Sequence, residues 1–464
     1  MKLPVFVVSL ILVLHVVVAQ YKSAKVTNNE NFVGSNIQSG TFTTQLDHFR
    51  PQDARTVEMQ YHSNLNNYGE NGPIYIYIKH MTDNSTQWIQ QGLMVDIART
   101  NLAALYTFDQ RYFGDNLMFD DYSWENMQYL TIEQTIADIA TFIDFVRRSL
   151  GTPSAPVILW GSQLGATLAA FTRLKYPHLV NGVWSSSGIY EIYYYTSAYY
   201  NLVGYTLAQS SMECRYRVQY AFEEIEDMIA NNSPALQYAL NLCEQVDATS
   251  VSEVAMMLER LIEMITSYID QFHFHGVQNF CHAINNPSLT PLESVIRWAR
   301  FAYESEYECF DFGYNNTVER YSDTQLSRFS WFYLQCTQAG IFRVTDQFNW
   351  LSTRIDFGYH LNLCRDVLGD QYNSLNFMNA VYDLQLHFSE IYSLISNIVY
   401  TNGYIDPWLY DGVTQANAEN ATVINIEYYS RSADLSSING WDSYDLTLAK
   451  RRIREIITDW SSPT

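Results

Sequence analysis

Histidine is scarce in the carboxyl-terminal part of this 464-residue chain, because none of its 10 histidines follows His387. The segment after that residue therefore offers no imidazole for acid–base catalysis. Basic residues are also few, with 27 Lys and Arg against 49 Asp and Glu and a net charge of −22. No basic cluster is longer than residues 450–452. This balance argues against nucleic acid and against an anionic membrane as partners.

Long apolar runs are also absent, except for residues 5–18 at the N-terminus. That run is too short to span a bilayer, follows a basic start and ends in small residues before Gln20. We interpret residues 1–19 as a signal peptide, with a buried N-terminal strand as the alternative. The sequence therefore predicts a secreted or lysosomal protein that reaches its compartment through the secretory pathway, with no membrane partner.

Cysteine is missing from both ends of the chain. All six lie in its middle: Cys214, Cys243, Cys281, Cys309, Cys336 and Cys364. An even number in an oxidising compartment predicts up to three disulfides, but the spacing does not choose the pairing. Four sequons mark candidate glycosylation sites at Asn84, Asn231, Asn315 and Asn420, of which the second is weakened by a following proline.

Strand-like and helix-like segments alternate along much of the chain. Short buried strands are predicted at residues 73–78, 103–108, 156–160 and 397–401. Helical periodicity follows at residues 131–150, 163–176 and 445–460. This alternation indicates an α/β fold with a parallel sheet.

The alternation stops in the middle of the chain, where helical stretches dominate and all cysteines lie. We therefore expect an α/β-hydrolase-like domain in two parts, residues 20–204 and 376–464. A disulfide-stapled helical cap at residues 205–375 would interrupt it and cover the carboxyl ends of the strands.

A Gly-Ser pair lies between one predicted strand and the next helix, in the segment Trp160-Gly161-Ser162-Gln163-Leu164-Gly165. A turn of this kind exposes a nucleophilic serine and points the helix N-terminus at the developing oxyanion. It also requires small residues two positions before and after the serine. With Ser162 as the nucleophile, those positions hold Trp160 and Leu164 instead. The alternative is that Ser162 merely caps the helix.

Asp406 follows another predicted strand and is the candidate acid of a triad, or simply part of an Asp-Pro turn. Several segments, including the one around Asp406, match a known family. They are residues 45–49 (Gln-Leu-Asp-His-Phe), 109–114 (Asp-Gln-Arg-Tyr-Phe-Gly), 129–134 (Tyr-Leu-Thr-Ile-Glu-Gln), 175–179 (Lys-Tyr-Pro-His-Leu) and 402–408 (Asn-Gly-Tyr-Ile-Asp-Pro-Trp). Through these segments the chain resembles the prolyl carboxypeptidase and dipeptidyl peptidase II family of serine exopeptidases.

The resemblance implies an α/β-hydrolase domain with a helical cap. It also implies an activity that trims residues next to proline from peptide ends at acidic pH, without a cofactor or metal. Ser162 falls on the family nucleophile and Asp406 on the family acid. A homodimer formed through the cap is a further implication of the resemblance.

Three departures from the family pattern affect positions that would take part in catalysis. Residues 430–435 read Ser-Arg-Ser-Ala-Asp-Leu where the family has a Gly-Ser-Ala-His-like segment, which places Asp434 in the histidine position. Lys79 and His80 begin the run that replaces a Gly-Gly-Glu-Gly-like oxyanion strip. Trp160 replaces a glycine before the serine, and Gln163 replaces a tyrosine after it; Gln163, Lys79 and His80 are thus the candidate oxyanion residues.

Two hypotheses follow from these departures. The first is a non-catalytic member of the family that retains a cleft for a peptide or protein ligand, since loss of the base costs on the order of 10⁶-fold in turnover. The alternative is an active serine exopeptidase, a carboxypeptidase or dipeptidyl peptidase cleaving next to proline, with a base relocated to His80 or Lys79. The histidines near Cys281 are interpreted as cap surface rather than a metal site.

Overall fold

The computed structural model describes residues 37–80, 86–302, 309–322, 327–388, 394–416, 418 and 420–462, without the side chains of residues 270–272 and 327. The predicted signal peptide and the sequon at Asn84 lie outside the described residues. Asn231, Asn315 and Asn420 are all exposed, and their glycosylation stays a prediction.

An eight-stranded sheet with the strand order β1-β2-β4-β3-β5-β6-β9-β10 forms the centre of the molecule. Only β1–β2 and β2–β4 pair antiparallel; the other neighbours run parallel. The strands are β1 Gln38–Gln45, β2 Thr56–Asn64, β3 Ile74–Ile78, β4 Ala104–Phe108, β5 Val157–Ser162, β6 Gly182–Ser186, β9 Ile398–Gly403 and β10 Ala421–Ile426, and a separate pair joins β7 Tyr195–Thr196 to β8 Phe342–Arg343.

Both faces of the central strands are buried, which explains their continuous apolar sequences. In β3, Ile74, Ile76 and Ile78 belong to one apolar cluster and Tyr75 and Tyr77 to another on the opposite face. Side chains alternate between the faces of a strand with a period of two. The same alternation in β5 decides which residues reach the functional site.

Helices cover the sheet and continue into the insertion between β6 and β9. They are α1 Gln87–Gln90, α2 Leu93–Asn101, α3 Trp124–Met127, α4 Ile132–Leu150, α5 Leu164–Lys175, α6 Ala198–Ser210, α7 Met212–Ala230, α8 Leu236–Leu240, α9 Val251–Ile284, α10 Pro291–Ala302, α11 Tyr314–Tyr321, α12 Ser327–Leu334, α13 Phe357–Leu368, α14 Ser374–Phe388 and α15 Tyr444–Trp460. None of the helices described is both long enough and apolar enough to cross a bilayer.

Three disulfides tie together the region that holds helices α6 to α14. The pairs are Cys214–Cys281, Cys243–Cys309 and Cys336–Cys364. The first joins α7 to α9 and the third joins α13 to a short π-helical turn at Gln335–Ala339. The predicted α/β class and the predicted disulfides are therefore confirmed, whereas the domain limits at residues 204 and 375 stay predictions.

Three of the segments that carried the family resemblance, residues 45–49, 109–114 and 129–134, meet in a buried polar cluster beside β1. Arg111 forms two hydrogen bonds of 2.7 and 2.8 Å with the Asp138 carboxylate, and His48 Nε2 lies 2.8 Å from the same group. Both Arg111 and Asp138 are fully buried. From the sequence alone, Asp138 is predicted to be an ordinary charge on a helix face. In the structure its carboxylate instead holds the cluster together, because a buried carboxylate requires paired donors.

Candidate active site

The turn between β5 and α5 has the geometry of a strained strand-to-helix elbow, and the residue at its apex is Gln163. Gln163 has φ 51° and ψ −126° and forms the N-cap position of α5. This backbone conformation is costly for any residue with a β-carbon. In α/β-hydrolases the nucleophile occupies such an apex, within the pattern Gly-x-Ser-x-Gly.

Two glycines flank the apex at the required spacing. A β-carbon on Gly161 would lie 2.7 Å from the carbonyl oxygen of Ile78, and one on Gly165 would lie 2.2 Å from the same atom. Neither position therefore accepts a side chain without moving β3. The segment is consequently a Gly-x-Gln-x-Gly elbow whose glycines lie two before and two after Gln163.

Ser162 lies inside the sheet rather than at the apex. Its hydroxyl is 3.4 Å from the hydroxyl of Tyr77, and the residue is 3% exposed. Trp160, two residues earlier on the same face of β5, is fully buried and stacks on Trp184 with a centroid distance of 5.8 Å. Strand alternation thus directs the Ser162 side chain into the core, while Gln163 occupies the apex one residue later; the assignment of the nucleophile to Ser162 stays a prediction.

Asp406 follows β9 at the carboxyl edge of the sheet. It is 2% exposed, and its carboxylate accepts a 3.0 Å hydrogen bond from the backbone N–H of Trp408. The Asp406 loop is joined to the loop after β10 by backbone hydrogen bonds from Tyr404 to Ile426 and from Ile405 to Tyr429. The structure thus places this carboxylate in the loop that neighbours Arg431.

Arg431 faces the apex of the elbow from the loop after β10. Its Nη1 donates a 3.2 Å hydrogen bond to the side-chain oxygen of Gln163. The order Gln163, Asp406, Arg431 along the chain parallels the order serine, acid, histidine of α/β-hydrolases. Arg431 therefore stands where a triad base would meet the nucleophile.

Asp434, predicted to occupy the histidine position, is hydrogen-bonded to residues of β6 and β9. Its carboxylate accepts hydrogen bonds from Ser186 Oγ at 2.6 Å, from Trp184 Nε1 at 2.9 Å, and from the hydroxyl of Thr401. Burial raises the pKa of Asp434 above its ordinary value, although these three donors oppose the increase. Asp434 thus binds the loop after β10 to β6 and β9 and does not reach Gln163.

Lys79 and His80, the two candidates for a relocated base, follow β3 and have different environments. Lys79 is buried and its ammonium group is ion-paired with Asp109, while its carbonyl oxygen accepts a 2.7 Å hydrogen bond from Gln110. His80 lines the cavity above the elbow, with its ring centroid 6.2 Å from that of Trp331 in α12. Neither contact brings a base to Ser162.

A cavity of about 580 Å³ lies between the elbow and the cap. Its lower wall includes Gln163, Leu164, Trp408 and Arg431, but not Ser162. The insertion between β6 and β9 covers it with charged and aromatic side chains, among them Glu259, Arg260, Glu263, Arg343, Tyr199 and Phe342. This volume falls in the range of sites that bind small molecules or a few residues of a peptide.

Arg431 is the site residue that sequence reasoning missed. The available signal was glycine spacing, because the pattern Gly-x-Gln-x-Gly in residues 161–165 already moves the apex from Ser162 to Gln163. No similar spacing pattern in the sequence indicates that Arg431, rather than Asp434, faces Gln163. Which of the two faces Gln163 depends on the side-chain directions in the loop after β10.

Comparison with known proteins agrees with this architecture and with the resemblance inferred from the motifs. The family model described as Serine carboxypeptidase S28 matches residues 44–453. Lysosomal Pro-X carboxypeptidase of Mus musculus is 23% identical over 443 residues, which cover 88% of this chain and 86% of that protein. Thymus-specific serine protease of Mus musculus is 24% identical over 446 residues, or 91% of this chain and 87% of that protein. The chain therefore belongs to the serine carboxypeptidase S28 family of serine peptidases.

Proposed function

We propose that this chain is a non-catalytic member of its family, whose cleft binds the end of a peptide or another protein. The observation that carries the proposal is the position of Gln163 at the apex of the elbow. A carboxamide is not among the side chains that form covalent intermediates in hydrolysis. The residue that faces it supports the same conclusion, because the Arg431 guanidinium keeps its proton at any physiological pH and is no general base.

The inherited architecture supports binding rather than a purely structural role. The elbow, the acid Asp406 and a cavity of about 580 Å³ between sheet and cap are all present. The relatives whose names describe peptidases act on peptides, which makes a peptide the natural class of ligand for the cleft. The lysosomal name of the first of these relatives and the three disulfides also support a lysosomal or secreted location.

The alternative is an active exopeptidase that uses Ser162 with a relocated base. It requires the Ser162 hydroxyl to leave its position beside Tyr77 and, where Lys79 rather than His80 is the base, the Lys79 ammonium to leave Asp109. Both side chains are buried. The two functions are separated by one labelling experiment.

The purified protein is treated with a fluorophosphonate probe at pH 5 and pH 7, beside Ser162→Ala and the double variant Gln163→Ser/Arg431→His. We expect no labelling of the unmodified protein or of Ser162→Ala at either pH, because the Ser162 hydroxyl is buried beside Tyr77 and does not line the cavity. The double variant returns a serine and an imidazole to the positions that face each other, so we expect it to gain labelling. Labelling of the unmodified protein that disappears in Ser162→Ala would establish the alternative.

A further inference from the structure

The eight-stranded sheet ends at β10, an edge strand with an apolar and uncharged sequence. Among the described residues, β10 pairs with β9 alone and is last in the strand order. Its sequence is Ala-Thr-Val-Ile-Asn-Ile, which contains no charged residue and no proline. Proteins protect open edges with charges, prolines, bulges or a covering element, because an open edge pairs with other chains. The sequence of β10 provides neither a charge nor a proline, so its edge requires protection of another kind.

The backbone groups on the outer side of β10 belong to alternate residues. The carbonyl of Ile426 accepts a 2.9 Å hydrogen bond from the N–H of Tyr404, which directly follows β9. Neighbouring residues of a strand direct their N–H and C=O groups to opposite sides, so those of Val423 and Asn425 point away from β9. In the part of the chain that the structure describes, no hydrogen bond occupies these groups. The outer edge therefore presents two donors and two acceptors.

These four groups are complementary to those of a second copy of the chain. A two-fold axis places Val423 of one copy opposite Asn425 of the other, and each such pair exchanges two N–H···O=C hydrogen bonds in an antiparallel ladder. A net charge of −22 makes two copies repel each other, but no charged side chain of β10 opposes contact at this edge. A second copy is the partner that fits, because the edge is its own complement.

A sequon begins one residue before this strand. Residues 420–422 read Asn-Ala-Thr, the acceptor pattern for N-glycosylation. Asn420 is exposed and has φ 58°, so the backbone turns at this residue into the edge strand. An N-linked glycan is bulky and hydrated. Bound at Asn420, it would occupy space beside the outer edge of β10 that a second copy needs for pairing.

We infer that Asn420 is glycosylated and that its glycan covers the outer edge of β10, which prevents two copies of the chain from pairing there. In the modification, the amide nitrogen of Asn420 loses a proton and bonds to the anomeric carbon of an oligosaccharide carried by a lipid pyrophosphate. The bond from that carbon to the pyrophosphate oxygen breaks, and the lipid pyrophosphate leaves. The inference goes beyond the proposed function and does not depend on whether the cleft is catalytic.

The test uses the full chain secreted from animal cells. Mass spectrometry of the peptide that contains Asn420 measures glycan occupancy, and we expect most molecules to carry the glycan. Light scattering after gel filtration then measures the particle mass of the unmodified protein, of Asn420→Gln and of Thr422→Ala, since both variants lack the sequon. We expect the particle mass of both variants to rise about twofold or more above that of the unmodified protein. Hydrogen exchange at the Val423 and Asn425 amides should slow in the same two variants, because these groups become paired.

Three further variants control for the position of the glycan and for the surface that associates. Thr422→Ser changes the same residue as Thr422→Ala but keeps the sequon, and Asn315→Gln removes an exposed sequon in α11. Both should keep the particle mass of the unmodified protein. Asn425→Lys, added to Thr422→Ala, places a charge at an exposed position of the edge strand and should restore that mass.

An Asn420 without glycan in the secreted protein would overturn the inference, and so would an unchanged particle mass in both variants that lack the sequon. A mass increase that Asn425→Lys does not reverse would assign the association to another surface and would also contradict it. Circular dichroism verifies the fold of each variant. If neither Asn420→Gln nor Thr422→Ala folds, endoglycosidase treatment of the folded unmodified protein decides the question. The particle mass should then rise after treatment, but not in Asn425→Lys treated in parallel.

Discussion

At the scale of single residues, Gln163 keeps a strained backbone although its side chain has no nucleophilic role. The strain persists because Gly161 and Gly165 pack directly against β3, and the turn has no room to relax. A site of this kind retains its geometry after its chemistry is lost. In the proposed non-catalytic function, glutamine in place of the serine and arginine in place of the base leave a set of hydrogen-bond donors and acceptors at this site.

Asp434 shows at the same scale how one side chain can hold several elements together. Replacing it with alanine removes the acceptor of Trp184, Ser186 and Thr401 while leaving those donors buried. We expect Asp434→Ala to lower the free energy of unfolding by about 2–3 kcal/mol. Urea unfolding followed by tryptophan fluorescence measures the change. The exposed control Asp459→Ala should stay within about 0.5 kcal/mol of the unmodified protein, and equal effects of both variants would contradict this role.

At the scale of elements, α9 is broken in its middle where it meets the loop that carries Arg431. His273 has φ 53° and ψ −155° inside this 34-residue helix. Its Nδ1 accepts a 3.2 Å hydrogen bond from the backbone N–H of Ser430, and Phe274 donates its N–H to Tyr428 at 3.1 Å. The Tyr428 carbonyl of the loop thus accepts a hydrogen bond from a backbone N–H that the broken helix leaves without an intrahelical acceptor. These hydrogen bonds thereby attach the cap beside the lower wall of the cavity.

This junction predicts a pH dependence of stability. The pKa of His273 is lowered from 6.5 to about 4, chiefly by burial, with Lys450 and His275 adding repulsion; the Tyr429 ring also faces it. The unfolded chain therefore binds the proton first. The contribution of neutral His273 is complete above its ordinary pKa and is lost as the pH falls from about 6.5 towards 4.

We expect the stability advantage of the unmodified protein over His273→Asn to shrink by about 2 kcal/mol between pH 7 and pH 4.5. Asparagine is chosen because it does not titrate and tolerates positive φ better than most residues. Denaturant unfolding at both pH values provides the measurement. A difference between the two proteins that stays constant with pH would show that protonation of His273 does not act at this junction.

At the scale of the whole molecule, the sheet and the cap are stabilised in different ways. The central strands of the sheet bury both faces in apolar clusters. The cap adds covalent links, and Cys214–Cys281 closes a loop with a sequence separation of 67. Links across long segments restrict the unfolded chain most strongly. The cavity lies between the two regions, so its shape depends on both.

Replacing Cys214 and Cys281 together with alanine is expected to lower the free energy of unfolding by roughly 4 kcal/mol. The loss arises because the open chain gains conformational entropy when unfolded. Chemical denaturation without reductant measures it, and reductant added to the unmodified protein should cause at least as large a loss. An unchanged denaturation midpoint in the double variant would contradict the expected contribution of this link.

The fold was largely predictable from the sequence, and the candidate site was predictable only in part. The strands β3, β4, β5 and β9 follow from short apolar runs, and α4 begins where Thr131 accepts a hydrogen bond from Gln134 as its N-cap. The elbow was correctly located between β5 and α5. The nucleophile was predicted at Ser162, one residue before the apex, although the two glycines are centred on Gln163.

Composition, periodicity and local motifs by themselves determined the α/β class, the family and the absence of an imidazole after His387. These properties depend on residue type and on spacing along the chain. Tertiary structure alone decided that Ser162 points into the core, that Gln163 faces the cavity, and that Arg431 rather than Asp434 meets it. For Ser162 the physical reason is the two-residue alternation of side chains across a sheet, since a shift of one position transfers a residue from one face to the other. For Arg431 and Asp434 the reason is the path of the loop after β10, which turns the first towards Gln163 and the second towards β6 and β9.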